Sequence, residues 1–243
     1  ADLKNDLKDP YKKDLRYAEI LEQNPNSFPA LFRKAQLHFQ VDNNTVNFPI
    51  EERNSDLAAS YLMKAASIQP NNPGPQRFLG NLYRGQNNLS MAKQAYESSR
   101  LLMGEPDEID SRYSNILLML GHVETFSGNY KEARKLYDES LEFLDFKQKP
   151  NLYQYPVFTY FYERDYDQAI VAFTKMRSEI LNSNEDAQWK TVNSILMEEN
   201  IFVSHLHNQD EQGANKSLQQ LAGFKRNDLN SYLTSGASRE QLL

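Results

Sequence analysis

Apolar residues recur three and four positions apart through most of the chain, with polar residues between them. Two clear stripes are formed by Leu79, Leu82 and Tyr83 and then by Ala92, Ala95, Tyr96 and Ser99. This spacing places each set on one face of an α-helix, where it can be buried against a neighbour. No segment of this pattern predicts a β-strand. The pattern therefore predicts an all-α protein built from amphipathic helices.

Glycine, asparagine and proline interrupt the stripes in two different ways. Gly85 and Gly128 each have an Asn within the next two residues, and both residue types tolerate a left-handed backbone, so we expect helix ends and tight turns there. Gly80 and Gly121 instead lie inside predicted helices, where Gly costs about 1 kcal/mol relative to Ala. That cost predicts a close approach of two helices at each of these glycines.

The paired stripes recur as a unit. In the copy that begins at Pro73, the residues Leu79 and Gly80 are followed by Tyr83, Ala92 and Tyr96. A second copy from about Ser114 has Leu117, Leu120, Gly121, Tyr130, Ala133 and Tyr137 in the same order. This arrangement resembles the tetratricopeptide repeat, a helix–turn–helix unit of about 34 residues. Gln76 and Leu117 stand where the family pattern has Trp.

Weaker copies flank these two. An earlier unit is predicted from a helix at Phe28 to Gln40, with Ala35 in the Gly place, and a second helix at residues 55–70. A fourth copy has Tyr153, Val157 in the Gly place, Tyr160, Tyr166, Ala169 and Phe173. A last copy has Phe202, His205 in the Tyr place, Ala214 and Leu218. Residues Tyr11 to Gln23 resemble an isolated second helix.

The resemblance implies a right-handed superhelical solenoid of antiparallel helix pairs, with about four to five units plus flanking helices. We expect an N-terminal flanking helix within residues 1–27 and the repeat array over 28–224. An inserted loop is expected near 42–54, since the first unit is longer than the family pattern there. A capping helix near Asp228 to Leu233 and a tail are expected within 225–243.

Composition narrows the function more than it identifies one. The chain has 243 residues, no cysteine and four histidines, which excludes disulfides, thiolate metal sites and cysteine nucleophiles. The net charge of −6 argues against a general nucleic-acid partner. No run of apolar residues is long enough for membrane insertion. The absence of cysteine slightly favours an exported or periplasmic bacterial protein over a cytoplasmic one.

A search for catalytic chemistry finds no convincing site. His205 and His207 are two residues apart and diverge on a helix, and no acidic ligand accompanies both. Neither a nucleophile elbow nor a glycine-rich phosphate loop occurs. We therefore expect no enzyme activity, no cofactor and no metal site.

The resemblance also implies where a partner would bind. First helices of such repeats line a concave face that binds peptides or helices. With the units placed as above, the inward-facing positions expected to bind a partner are Arg77, Asn81, Arg84, Asn115, His122, Gln154, Phe158 and Phe161. Arg77 and Asn81 resemble part of the carboxylate clamp of some family members, but Met119, Asn151 and Tyr155 replace its other residues.

We therefore interpret the chain as a protein-interaction scaffold that binds a peptide, a helix or a partner subunit in its groove. Arg77 and Arg84 are seven residues apart, on one helical face with Asn81 between them, so an acidic or carboxylate-bearing segment is the favoured ligand. Two alternatives stay open at this point. The chain is a structural subunit that assembles through convex or terminal surfaces, or a repeat domain of a larger enzyme-containing polypeptide. The oligomeric state is left open.

Overall fold

The computed structural model describes residues 9–39 and 48–224, and these residues form eleven α-helices and two short 3-10 turns, with no strand among them. The helices, numbered in chain order, are α1 Pro10–Gln23, α2 Phe28–Leu37, α3 Ser55–Ile68, α4 Pro73–Gly85, α5 Leu89–Met103, α6 Ser111–Phe126, α7 Tyr130–Glu142, α8 Lys149–Glu163, α9 Tyr166–Asn182, α10 Ala187–His207 and α11 Glu211–Ala222. The expected all-α class and the predicted helix pairs are confirmed. The boundaries proposed at 27/28 and 224/225 stay predictions, and the capping helix at 228–233 lies outside the described residues.

Seven of these helices begin with an Asn or Asp that caps the first turn. The side-chain oxygens of these residues accept hydrogen bonds from backbone amides of the following turn; the residues are Asp9, Asn54, Asn72, Asn88, Asp165, Asp186 and Asp210. Each cap of this kind contributes about 1 kcal/mol to helix stability. The repeated Asn and Asp therefore mark the starts of helices along the chain.

The turns within the later helix pairs share one backbone device. Asn87, Arg164 and Gln209 each adopt a positive φ of 57 to 59° just before the next helix. The following amide then donates back to a carbonyl five residues earlier, from Asn88 to Tyr83 at 2.8 Å, from Asp165 to Tyr160 at 2.9 Å and from Asp210 to His205 at 2.9 Å. Tyr83, Tyr160 and His205 are therefore equivalent, as the repeat register predicts.

Two details of the predicted repeats need correction, one in a turn and one in a buried stripe. Gly128 has the expected positive φ of 79°, but Gly85 is the last residue of α4 and the left-handed residue of that turn is Asn87. In the last unit Ala214 is buried as expected, whereas Leu218 is 51% exposed. The stripe of α11 is therefore completed by Ser217, which is buried.

The described residues form two compact units. The N-terminal unit comprises residues 1–107 and 115–127, and the C-terminal unit comprises 108–114 and 128–243, as far as each is described. The core of the N-terminal unit is built from Ala35, Ala58, Leu62, Phe78, Leu79, Leu82 and Ala95. The core of the C-terminal unit is built from Val157, Ala169, Phe173, Met176, Ile180, Ile195, Leu196, Met197 and Ile201.

The inserted segment returns to the N-terminal unit through an aromatic contact. Residues 40–47 lie outside the described part, but Phe48 is 7% exposed and its ring contacts Tyr11 at 5.2 Å and His38 at 4.8 Å between centroids. The Tyr11 hydroxyl donates to Glu52 at 2.7 Å. The expected loop at 42–54 is thus not a simple loop at its C-terminal end, where Ile50–Glu52 form a 3-10 turn.

Candidate binding face

Five of the eight predicted partner-binding residues lie in the N-terminal unit. Arg77, Asn81 and Arg84 are on α4, and Asn115 and His122 are on α6. On each helix the outer members are seven residues apart, two turns, so they share a face. Asn115 is exposed and the other four are half-buried.

Asn81 holds a neighbouring side chain. Its Oδ1 accepts a hydrogen bond of 2.6 Å from the hydroxyl of Tyr96, a residue of α5 whose side chain is fully buried. Burial raises the pKa of the Tyr96 hydroxyl. Because the oxygen of Asn81 is engaged, we assign Asn81 the role of holding the hydroxyl of Tyr96.

Arg84 lies close to both His122 and Tyr96. Burial, followed by the positive charge of Arg84, lowers the pKa of His122 to about 4. His122 is therefore neutral at physiological pH. The positive charge of Arg84 also lowers the pKa of Tyr96, against the larger effect of burial, so its guanidinium lies near the Tyr96 ring.

Both arginines of α4 lack an anionic partner among the described residues. Arg77 places its guanidinium carbon 4.8 Å from the centroid of Phe78, and burial lowers its pKa. The Nε of Arg84 is buried without a hydrogen-bond partner in the described part of the chain. The described ion pairs use neither residue. Arg77 and Arg84 thus form a half-buried cationic face without an anionic partner among the described residues.

The other three predicted residues lie in the C-terminal unit on α8. Gln154 is only 5% exposed, so its side chain is part of the interior. Phe158 packs edge-on against Phe161 at 6.4 Å. The Phe161 ring also contacts the rings of Tyr166 at 5.4 Å and His207 at 5.5 Å. Gln154 and Phe161 thus contribute to packing, and of these three residues only Phe158 remains a candidate for partner binding.

Sequence reasoning missed Tyr96 as a part of the binding face. The helical spacing places Tyr96 in the buried stripe of α5. This is correct for its ring, but its hydroxyl donates to Asn81 of α4. Its position opposite Gly80 was the available signal: a Cβ at Gly80 would lie 2.5 Å from the Cδ1 and Cε1 atoms of Tyr96. The predicted close approach at Gly80 is therefore confirmed, and its partner is an aromatic ring.

Metal and membrane chemistry find no support in the described residues. They contain no cluster of three or more His, Asp or Glu side chains arranged to hold a metal ion. None of the described helices combines the length and the apolar character needed to span a membrane.

The family model of the tetratricopeptide repeat matches residues 114–143. This segment covers most of α6 and all of α7, the second of the two clear sequence copies. Residues 114–143 therefore form a tetratricopeptide repeat. Such repeats are protein–protein interaction domains.

Several solved structures share the fold of this chain at low sequence identity. BtubC from P. vanneervenii has a TM-score of 0.61 and 16% identity, over 93% of this chain and 94% of that one. PilW, a type IV pilus biogenesis factor, has a TM-score of 0.56 and 16% identity, over 89% and 87%. YrrB, described as having an unusual peptide-binding site, has a TM-score of 0.55 and 15% identity, over 90% and 96%. No curated protein sequence matches the chain.

Proposed function

We propose that the protein is a non-enzymatic interaction module that binds an acidic or carboxylate-bearing segment of a partner protein. Binding uses the cationic face of the N-terminal unit, formed by Arg77, Arg84 and His122. The single observation that carries this proposal is the pair of half-buried guanidinium groups without an anionic partner among the described residues.

The physical reason lies in the cost of taking a charge out of water. A buried or half-buried cation is disfavoured unless an anion or hydrogen-bond acceptors compensate it. Arg77 lies over the Phe78 ring, and Arg84 has a buried Nε that donates to no described acceptor, although its side chain hydrogen-bonds to Tyr96. A carboxylate from a partner would accept charge-assisted hydrogen bonds from such a group, which are about twice as strong as neutral ones.

His122 suits this face because it is uncharged. Its pKa of about 4 means that it adds no proton and no further repulsion beside Arg84 at neutral pH. A neutral imidazole still donates one hydrogen bond through one ring nitrogen. The similar YrrB, described as having a peptide-binding site, is consistent with a peptide ligand but identifies no contact in this protein.

The test is a binding screen with fluorescent peptides of defined charge. Peptides rich in Asp and Glu, with a free C-terminal carboxylate, are compared with amidated and with Asn/Gln-substituted versions by fluorescence anisotropy. The Arg77→Gln/Arg84→Gln variant should lower the affinity for the selected acidic peptide about tenfold or more per lost contact, because a hydrogen bond to a charged group contributes about 1.5–3 kcal/mol.

A matched control separates a local site from general electrostatics. Arg33→Gln/Arg112→Gln removes the same two charges from exposed positions and should leave the affinity nearly unchanged. Added salt should weaken binding to the unmodified protein more than binding to the Arg77/Arg84 variant. Equal affinities of the two double variants would overturn the proposal, and the convex-surface alternative would take precedence.

A further inference from the structure

A separate pocket of about 350 Å³ lies in the C-terminal unit, between α7, α8 and α9. Its floor includes the buried side chains of Val157 and Met176, and Tyr153 and Tyr160 of α8 contribute aromatic rings. Ligand pockets generally measure about 300–1,000 Å³. This pocket is therefore of a size for a small molecule or a single side chain.

Charged groups of both signs line this pocket. Asp138 from α7 and Glu179 from α9 contribute carboxylates, and Lys149 from α8 and Lys175 from α9 contribute ammonium groups. None of the four forms an ion pair within 4 Å or a hydrogen bond with any residue that the structure describes. Asp138, Lys175 and Glu179 are exposed and Lys149 is half-buried. Burial raises the pKa of Asp138, and the charges of Lys175 and Arg134 oppose this effect, so these charges interact without a close ion pair.

The fifth charged group of the pocket, Arg134, is already engaged. Its guanidinium carbon lies 4.4 Å from the centroid of the Tyr160 ring. Its Nη1 donates to the Thr159 hydroxyl at 2.8 Å and forms an ion pair with Glu163. Arg134 therefore covers one face of the Tyr160 ring and is not counted among the groups open to a ligand.

Tyr153 and Lys149 indicate which charge of a ligand each part of the pocket would hold. Burial, followed by the carboxylates of Glu179 and Asp138, raises the pKa of Tyr153 to about 12. The Tyr153 hydroxyl is thus a protonated group that lies near the carboxylates of Glu179 and Asp138, which are the groups that would attract an ammonium group. Lys149 is the first residue of α8, one turn before Tyr153, where the helix dipole also favours an anion.

We propose that this pocket binds a small zwitterion of the size of an amino acid or dipeptide. Its ammonium group lies between Asp138, Glu179 and the Tyr153 ring, and its carboxylate lies at Lys149. An apolar side chain of the ligand packs on Val157 and Met176. A ligand with only one of the two charges would lose the attraction at the other end of the pocket.

The test is calorimetric titration with L-phenylalanine, glycyl-L-phenylalanine and two singly blocked probes. N-acetyl-L-phenylalanine lacks the ammonium group, and L-phenylalaninamide lacks the carboxylate. We expect at least one zwitterion to bind, and each blocked probe to bind about tenfold more weakly or worse. The comparison of the free amino acid with the dipeptide distinguishes the two sources of the zwitterion.

Charge-removing variants assign each end of the ligand. Asp138→Asn/Glu179→Gln should weaken the zwitterion and the amide but not the acetylated probe. Lys149→Gln should weaken the zwitterion and the acetylated probe but not the amide. Because these groups make no ion pair with described residues, the melting temperatures of the variants should stay near that of the unmodified protein.

The matched controls are Glu132→Gln and Lys135→Gln, an exposed ion pair on the same helix as Asp138. Neither should change the affinity for any probe. The Arg77→Gln/Arg84→Gln variant should also bind the zwitterion normally, so this site succeeds or fails independently of the cationic face. The proposal is overturned if no zwitterion produces heat at its solubility limit, or if the two pocket variants bind it as the controls do.

Discussion

Replacing Gly80 by alanine tests the closest helix approach in the N-terminal unit. The new methyl group would lie 2.5 Å from Cδ1 and Cε1 of Tyr96 and 2.9 Å from its Cγ. Ordinary contacts between carbon atoms are about 3.5–4.0 Å, so the ring or the helix must move by about 1 Å. Tyr96 has little freedom to move, because its side chain is fully buried and its hydroxyl is bound to Asn81.

The magnitude follows from two opposing effects. Overpacking of this kind costs about 1–3 kcal/mol, and the constrained ring places the cost near the upper end. Alanine recovers about 1 kcal/mol of helix propensity. The net loss for Gly80→Ala is therefore about 2 kcal/mol, which corresponds to a melting temperature lower by about 4–8 °C for a chain of this size.

Thermal unfolding followed by circular dichroism measures the effect, and Gly85 in the same helix provides the control. A Cβ at Gly85 has no atom within 4 Å, so Gly85→Ala should leave the melting temperature unchanged or raise it slightly. If Gly80→Ala melts at or above the Gly85→Ala variant, the close approach to Tyr96 does not carry the energy assigned to it.

A second substitution tests whether the ring is the cause. In the preceding unit, Ala35 and Leu62 occupy the places of Gly80 and Tyr96, and both are buried in the same core. Tyr96→Leu should therefore destabilise the Gly80→Ala variant less than it destabilises the unmodified protein. Simple additivity of the two substitutions would refute this explanation, since residues in contact are expected to couple.

Three further predictions concern other parts of the N-terminal unit. Burial and the charge of Arg84 lower the pKa of His122 to about 4, so the folded state takes up a proton less readily than the unfolded state. The free energy of unfolding should therefore be highest above the ordinary His pKa and fall as the pH drops from about 6.5 towards 4. His122→Gln should reduce this fall, as measured by chemical unfolding. Asp14→Asn should cost about 3 kcal/mol in the same assay, because it leaves the ammonium of Lys34, 8% exposed and 2.7 Å from Asp14, without its counter-ion. Phe48→Ala should cost about 3 kcal/mol, whereas deletion of residues 43–47 should barely change the helical signal.

Each of these predictions has a control. Glu132→Gln removes one partner of an exposed ion pair on α7 and should change stability by less than about 1 kcal/mol, against which the loss for Asp14→Asn is judged. A fall in stability with pH that is the same in the His122 variant would assign the titration to another group. A large loss of helix on deleting 43–47 would show that this part of the insertion supports the core, contrary to the sequence-based expectation.

The fold could be predicted from the sequence because the repeat is a property of spacing. The last unit shows this clearly, since it has His205 in the place of an aromatic residue. Its helix nevertheless ends as the others do, with the His205 carbonyl accepting the amide of Asp210 as the Tyr83 carbonyl accepts that of Asn88. These contacts are made by the backbone, so the order of helices and turns survives extensive substitution of side chains.

The exact turn residue was less predictable. The sequence predicts Gly85 as the left-handed residue after α4, because glycine adopts positive φ most easily. The structure uses Asn87 in that turn and Arg164 and Gln209 in the later ones. The hydrogen bond closing each turn compensates the strain of a positive φ, which at a non-glycine residue costs roughly 1–2 kcal/mol. Composition alone therefore identifies the turn but not the residue within it.

The binding face shows where sequence reasoning has its limit. Helical spacing correctly placed Arg77, Asn81 and Arg84 on one face, because period alone decides which residues point the same way. It could not show that the Tyr96 hydroxyl, fifteen positions further along the chain, would occupy the oxygen of Asn81. Nor could it show that no carboxylate among the described residues reaches either arginine. The distinction between a structural polar residue and a ligand-binding one depends on these neighbours. The amide oxygen of Asn81 is bound within the unit, whereas the two arginines have no anionic partner among the described residues, and we propose that a partner protein provides one.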